Sequence, residues 1–272
     1  MKNKTQSNSL VRARNVLFAC AIAALACSSC KDDDNVVPDE VVPAKRAIIP
    51  ENGKQYSYKI VDSDGTVETS VTRVKSMKDS TGFPIYSIQN IIKVEDGQYP
   101  VDYKAYSNNG TTTYELKVPA VFEAIVKELR PLAYIEKIEV AGYPQYQIFD
   151  NKGTVDSPVT FKGGPMSMNV KMEIIVEGGD NVEAEVSSKI TYKSGRVVKE
   201  EAVTTPAGTF NCSKWQYSYV MVSRFAAVGY PVEEQTVAVD VSLWTAPEIG
   251  IVKSLEETAD GETSLTELQK IQ

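Results

Sequence analysis

Four cysteines, no histidine and a wide scatter of carboxylates, lysines and tyrosines are the chemical means of this 272-residue chain. Without an imidazole there is no Ser-His-Asp or Cys-His nucleophile and no His-ligated zinc. Acid–base work falls to carboxylate, lysine or tyrosine, and metal binding to all-oxygen sites such as calcium. The cysteine with the clearest chemistry is Cys30, in Cys27-Ser28-Ser29-Cys30. Small side chains directly before it give a peptidase access, and its thiol can then carry lipid at a new N-terminus. Cys20 and Cys27 leave with the segment in front, so only Cys212 stays free and no intramolecular disulfide forms. With no activating base assigned to it, Cys212 reads as a buried, inert thiol.

Other constellations are weaker. Asp62-Ser63-Asp64-Gly65-Thr66-Val67-Glu68 has the composition of a calcium loop, but EF-hand spacing would put the first ligand at Ile60, so a hairpin turn is the better reading. Lys162-Gly163-Gly164-Pro165 lacks the lysine and hydroxyl that follow the glycines of a phosphate loop and reads as a turn. No spacing singles out a catalytic pair among 36 acidic residues. Trp215, Tyr217 and Tyr219, with Met221, fall on one face of a strand at period two. They form either a stacking platform for a ligand or, the preferred reading, part of a core. These three are the candidate binding residues; no catalytic residue, metal ligand or cofactor is assigned, and an enzyme is not expected. A net charge of −7 argues against nucleic acid as a partner and against a basic patch for anionic lipid headgroups.

The element that positions Cys30 is a basic head, Lys2, Lys4, Arg12 and Arg14, followed by an apolar run from Val16 to Cys27. That run is too short to span a bilayer and suits the apolar core of a removable signal peptide, residues 1–29. The arrangement resembles a bacterial lipoprotein signal, imperfectly because Cys27 stands where a Leu-like residue is usual. Acylation at Cys27, or an unlipidated secretory signal, is the alternative. At about 0.8 kcal/mol per buried methylene, one acyl chain anchors marginally, so stable attachment needs two or three, palmitate among them. The following Lys31-Asp32-Asp33-Asp34 resembles the surface-export signal of Bacteroidetes lipoproteins, which implies the outer membrane with the domain facing the exterior. The other reading of that run is a solvated tether. Residues 30–50, with Val36-Val37-Pro38 and Val41-Val42-Pro43, read as a flexible acidic spacer.

Residues 51–272 read as one β-rich domain. Asp64-Gly65, Asp96-Gly97, Asn109-Gly110, Lys152-Gly153, Ser194-Gly195 and Asp260-Gly261 are hairpin-type dipeptides between short runs rich in Val, Ile, Thr and Tyr. They predict antiparallel strands at 54–62, 66–77, 84–95, 99–107, 111–118, 134–140, 144–150, 168–177, 182–192, 196–205, 209–223, 235–245, 249–257 and 262–271. Between Pro119 and Leu129, Phe122, Ile125, Val126 and Leu129 recur at helical spacing, which predicts one short amphipathic helix. The expected fold is mainly β: an antiparallel curved sheet, half-barrel or sandwich carrying that helix.

Two stretches of the C-terminal part, Val203-Thr204-Thr205-Pro206-Ala207-Gly208-Thr209-Phe210-Asn211-Cys212 and Leu243-Trp244-Thr245-Ala246-Pro247-Glu248-Ile249-Gly250-Ile251-Val252-Lys253-Ser254, resemble a motif pair of uncharacterised Gram-negative envelope proteins. The resemblance implies a β-rich, half-barrel-like domain and brings no activity or catalytic residues. The expected role is a lipid-anchored binding module for a glycan, peptide or apolar small molecule. A structural subunit of an envelope assembly is the alternative, and a carboxylate-based hydrolase the third reading.

Overall fold

The structure, a computed structural model, describes residues 47–80, 82–94, 97–117, 130–176 and 179–272. Cys30, the run Lys31, Asp32, Asp33 and Asp34, and the helix expected over 119–129 lie outside them. In chain order the strands are β1 Gln55–Asp62, β2 Val67–Ser80, β3 Phe83–Val94, β4 Gly97–Asn108, β5 Thr111–Leu116, β6 Ala133–Ala141, β7 Gln145–Asp150, β8 Pro158–Lys162, β9 Met166–Ile174, β10 Val182–Thr205, β11 Gly208–Ala227, β12 Glu233–Ala246, β13 Gly250–Thr258 and β14 Thr263–Ile271.

All pairings run antiparallel, in one sheet ordered β11-β12-β13-β14-β1-β2-β3-β4-β5-β7-β8-β10-β9-β6. Because β10 also pairs with β11 along nearly its whole length, the sheet closes into a ring of twelve strands that leaves out β6 and β9. The expected mainly β, antiparallel fold is what forms, with its curvature carried through to closure. Closure hides strand edges that would otherwise invite association.

The closing seam is narrow: β8 meets β10 only at Val159–Gly195 and Pro158–Arg196. It is reinforced where the Val197 amide donates to the Ser157 carbonyl and the Asp156 amide to the Val197 carbonyl, both at 2.9 Å. Ser194-Gly195, read from sequence as a turn between two strands, instead lies inside the 24-residue β10, where register shifts between Lys193 and Arg196 and again between Val197 and Lys199. These bulges bend a strand far too long for one barrel wall. Glycine is required at 195 because an added Cβ would sit 1.8 Å from the Gln216 carbonyl oxygen on β11. Strand β8 was not expected: five residues starting on proline, between turn signals, carry too little alternation to announce themselves.

The first third of β10 runs past the barrel, pairing there with β9, which pairs in turn with β6. With the outer parts of β11 and β12 this makes an arm. Strand β9 alternates strictly, and its inward Val170, Met172 and Ile174 form the arm's core with Ala184, Val186 and Phe225.

At the opposite end of the barrel, beside the Asn109-Gly110 turn, the chain enters as a plug. Ile48 and Ile49 are 5 % and 6 % exposed, although residues 47–50 read in sequence as the last of the spacer. The Ile48 amide donates to Thr112 Oγ1 at 3.1 Å, and its carbonyl accepts from the Tyr114 hydroxyl. The Glu51 amide donates to the Glu248 carbonyl at 2.9 Å and the Glu248 amide to the Ala47 carbonyl at 3.1 Å. A loop with buried backbone needs such partners, and here the barrel rim supplies them.

Candidate ligand-binding site

Above the plug the barrel interior is not filled. A half-open cavity of about 320 Å³ lies between Pro50 of the plug and the mouth, the end that carries the β1–β2 and β13–β14 hairpins. Period-two alternation places its walls: on each barrel strand every second residue faces inward. Aliphatic lining comes from Ile60, Ile92, Leu116, Met166, Leu243 and Ile251. Rings supply about half of the rest, with Tyr103, Tyr114 and Phe149 on one side and Phe161, Tyr192, Tyr217 and Tyr219 on the other.

The second ring group is tightly arranged. Phe161 stacks on Tyr192 at 4.6 Å with planes 12° apart, and Tyr217 lies 5.0 Å from Phe161. Tyr219 lies 5.4 Å from Tyr192. Burial pushes the hydroxyls of Tyr103, Tyr114, Tyr192 and Tyr219 well above the usual phenol range, so all four are neutral hydrogen-bonding groups at any physiological pH.

Hydroxyl and amide side chains complete the lining, and it is neutral apart from one carboxyl. Thr72 donates to Asn90 Oδ1 at 3.3 Å, and Gln145 Nε2 is occupied by the carbonyls of Gly142 and Gly164 at 2.6 and 2.5 Å. Gln147 Nε2 is buried without a hydrogen-bond partner. One charge-bearing group is present among the described lining residues: Glu256, on β13. Protein surrounds its carboxyl, the cavity reaches it, and Tyr219 donates to its Oε2 at 2.7 Å. Burial, with a smaller contribution from the Asp62 charge, pushes the Glu256 carboxyl up to about 8, against the lowering effect of the tyrosine. Asp62 and Glu256 both pair with Ser264, so the three share one row across β1, β14 and β13, facing inward at the mouth. Glu68 stands opposite Ile60 on the same face, its carboxyl raised by burial and by Asp62.

Of the three aromatic candidates, Tyr217 and Tyr219 line the cavity. Trp215 does not: it is fully buried below, edge-on to Phe149 at 4.9 Å, its Nε1 donating to Thr245 Oγ1 at 2.8 Å. It belongs to the core, since the plugged end of the barrel is packed solid around it. Cys212 is buried too, its thiol directed at the Phe210 carbonyl at 3.5 Å. The Asp62–Thr66 segment is a hairpin turn, closed by the Gly65 amide on the Asp62 carbonyl at 2.9 Å and by the Thr66 amide on Asp64 Oδ1 at 2.8 Å. Lys162-Gly163-Gly164-Pro165 connects β8 to β9. Sequence reasoning missed Glu256, because the register shift between Trp244 and Thr245 on the paired β12 obscures which residues of β13 face inward.

Comparison with known proteins agrees with this architecture. The family described as DUF3108-like matches residues 143–268, a span that includes both C-terminal motifs. Two solved structures share the fold, each with a TM-score of 0.50. One, from Parabacteroides distasonis and described as a lipoprotein, is 17 % identical and covers 84 % of this chain and 99 % of its own. The other, from Bacteroides fragilis and described as an exported protein with a YmcC-like fold, is 18 % identical and covers 85 % of this chain and all of its own. No curated protein matches the sequence.

Proposed function

We propose that this protein is a lipid-anchored outer-membrane lipoprotein, facing the cell exterior, that holds a small apolar or amphiphilic molecule inside its barrel and performs no catalysis. The observation that carries the binding reading is the cavity of about 320 Å³ walled by aliphatic and aromatic side chains, a size and lining typical of small-molecule sites. The same enclosure favours an apolar small molecule over a glycan or peptide, whose stacking rings would need an open sheet face. Anchoring rests on Cys30 behind its small residues and on the descriptions of the two structural neighbours as lipoprotein and exported protein. Surface display rests on Lys31 and Asp32, Asp33 and Asp34.

The test of binding is fluorescence of the uncharged probe N-phenylnaphthylamine with the wild type and Ser70→Phe. Ser70 is 3 % exposed and faces the cavity, so a ring there fills it. Saturable binding lost in a Ser70→Phe protein that still melts cooperatively supports the reading; equal signal from both sinks it. For the anchor, incorporation of labelled palmitate should depend on Cys30, and protease added to intact cells should remove the domain.

The structural-subunit reading has its own observation. Val228, Tyr230 and Val232, 66 %, 40 % and 55 % exposed, crowd the tip joining β11 to β12. Exposed apolar clusters mark contact surfaces. Recovery of a stoichiometric envelope partner that is lost in Val228→Ser/Val232→Ser, while probe binding persists, would favour it.

A further inference from the structure

We propose that the cavity selects by charge, accepting an organic cation, one ammonium group on an apolar body, with Glu256 as counter-ion, and rejecting anionic amphiphiles of the same size. The inference rests on the ligand-binding reading above and deepens it.

Three features of the site argue together. First, no lysine or arginine is among the described residues lining the cavity, so a ligand carboxylate or phosphate would find neutral donors such as Gln147 Nε2 but no opposite charge. Second, among the described residues three carboxyls face inward together at the mouth, Glu256 in the wall with Asp62 and Glu68 beside it, and their sign attracts a cation. Two acceptor-capable atoms of this row, Asp62 Oδ1 and Ser264 Oγ, are buried with no hydrogen-bond partner. Third, Phe161, Tyr192, Tyr217 and Tyr219 all line the cavity and cluster together on the carboxyl's side of it, with Tyr219 bonded to it. Ring faces attract an ammonium and do nothing for an anion.

The proton inventory follows from the groups around Glu256. Facing it are Tyr219 and Tyr217 from β11, Tyr192 from β10, Ser264 from β14 and Asp62 from β1. The tyrosines stay neutral, and Asp62 only opposes ionisation of its neighbour. In the empty protein at neutral pH, Glu256 therefore holds a proton. An entering ammonium takes its place as the partner of the carboxylate, and one proton leaves to solvent for each cation bound. Affinity for a cation should rise roughly tenfold per pH unit up to the pKa of Glu256 and level off above it. Affinity for a neutral analogue should not follow pH.

The experiment uses the purified full chain and three probes of equal chain length, decylammonium, decanol and decanoate, each displacing N-phenylnaphthylamine. The proton count is read by calorimetry in two buffers of different ionisation heat. Expected at about pH 9 is decylammonium at least about tenfold tighter than decanol, and decanoate at least about tenfold weaker. One proton should be released per decylammonium near pH 7, and the cation-to-alcohol ratio should fall to about one in Glu256→Gln. Three equal affinities, decanoate binding tightest, or a ratio unmoved in Glu256→Gln overturns the charge inference. The wild-type pH profile decides the matter independently should Glu256→Gln not fold. If decanol binds and Ser70→Phe blocks it while head-group charge makes no difference, the charge inference falls and the cavity reading stands. If no probe is displaced at all, both fall.

Discussion

The Tyr219 hydroxyl reaches Glu256 Oε2 at 2.7 Å over the top of a whole strand: β12 lies between β11 and β13 and pairs with each. Such a diagonal bond is open only to inward side chains in a curled sheet, where the concave face brings next-nearest strands together. It fixes the carboxyl against the ring group that lines the cavity.

That carboxyl should shape the stability of the empty protein. Its native pKa of about 8 stands above the unfolded value of 4.5, so between those limits the native state binds the extra proton. The contribution to stability is full below the unfolded value and is lost as pH rises through the native one. Glu256→Gln cannot ionise and should escape this loss. Urea midpoints should converge near pH 4 and favour the variant by about 2 kcal/mol near pH 9, allowing for solvent that enters the cavity. Parallel midpoint curves would show that the carboxyl is not desolvated.

The barrel seam should fail at Gly195. An alanine methyl there meets the Gln216 backbone carbonyl oxygen at 1.8 Å, which no side-chain rotation can relieve, so one strand must move. Gly195→Ala should cost about 2 to 4 kcal/mol, the range of a severe core clash. Gly97→Ala is the control, since nothing lies within 4 Å of the added carbon. The ion pair Arg196–Asp156 at 2.9 Å cannot compensate, because both side chains are largely exposed and worth less than about 1 kcal/mol. Equal denaturation midpoints for the two glycine variants would refute this account of the seam.

Much of this architecture was legible because turn chemistry and side-chain period are local properties. Asp64-Gly65, Asn109-Gly110 and Asp260-Gly261 mark hairpins, and strands such as β1 and β14 lie within a residue or so of their expected bounds. Ser194-Gly195 misled because a glycine demanded by close approach of another strand looks the same in sequence as one demanded by a turn. The cavity was half legible. Period two correctly put Tyr217 and Tyr219 on one face with Trp215, but whether that face meets solid core or open space depends on strands elsewhere in the ring, and it changes between Trp215 and Tyr217. Ile48 and Ile49 read as spacer because two apolar residues beside prolines carry no period, and only the barrel end shows what they fill.

The division between Trp215 and Tyr217 can be measured. Trp215→Ala removes a fully buried indole and strands Thr245 Oγ1, and should cost about 3 to 5 kcal/mol. Tyr217→Leu keeps an apolar group at the cavity wall, so it should cost less than about 1.5 kcal/mol. Its effect should appear instead as weaker binding of N-phenylnaphthylamine, by a few-fold. A Tyr217→Leu protein as unstable as Trp215→Ala would mean that the ring group is core and that no usable cavity wall exists there.

The plug couples the spacer to the cavity, and this too has a measurable consequence. Ile48 packs in the cluster that contains Phe149, Trp215 and Leu243, Ile49 in the one with Ile88 and Ala105, and Pro50 floors the cavity itself. Losing both isoleucine side chains removes the apolar burial that holds residues 47–50, while the backbone bonds to Thr112, Tyr114 and Glu248 remain but must then compete with water. Ile48→Ala/Ile49→Ala should therefore lower stability by about 3 to 6 kcal/mol, less than the sum of two isolated core truncations because the segment lies at the barrel end and can relax. Amide exchange should speed up first at Ile48 and Glu51, ahead of β5 and β13, since a locally released plug opens below the global unfolding free energy. Probe dissociation should quicken in the same variant, because the floor at Pro50 moves with the plug. Unchanged exchange at Ile48 with a lowered global midpoint would show that plug and barrel unfold as one unit, and unchanged stability would show that the two isoleucines contribute nothing to holding the chain in the barrel.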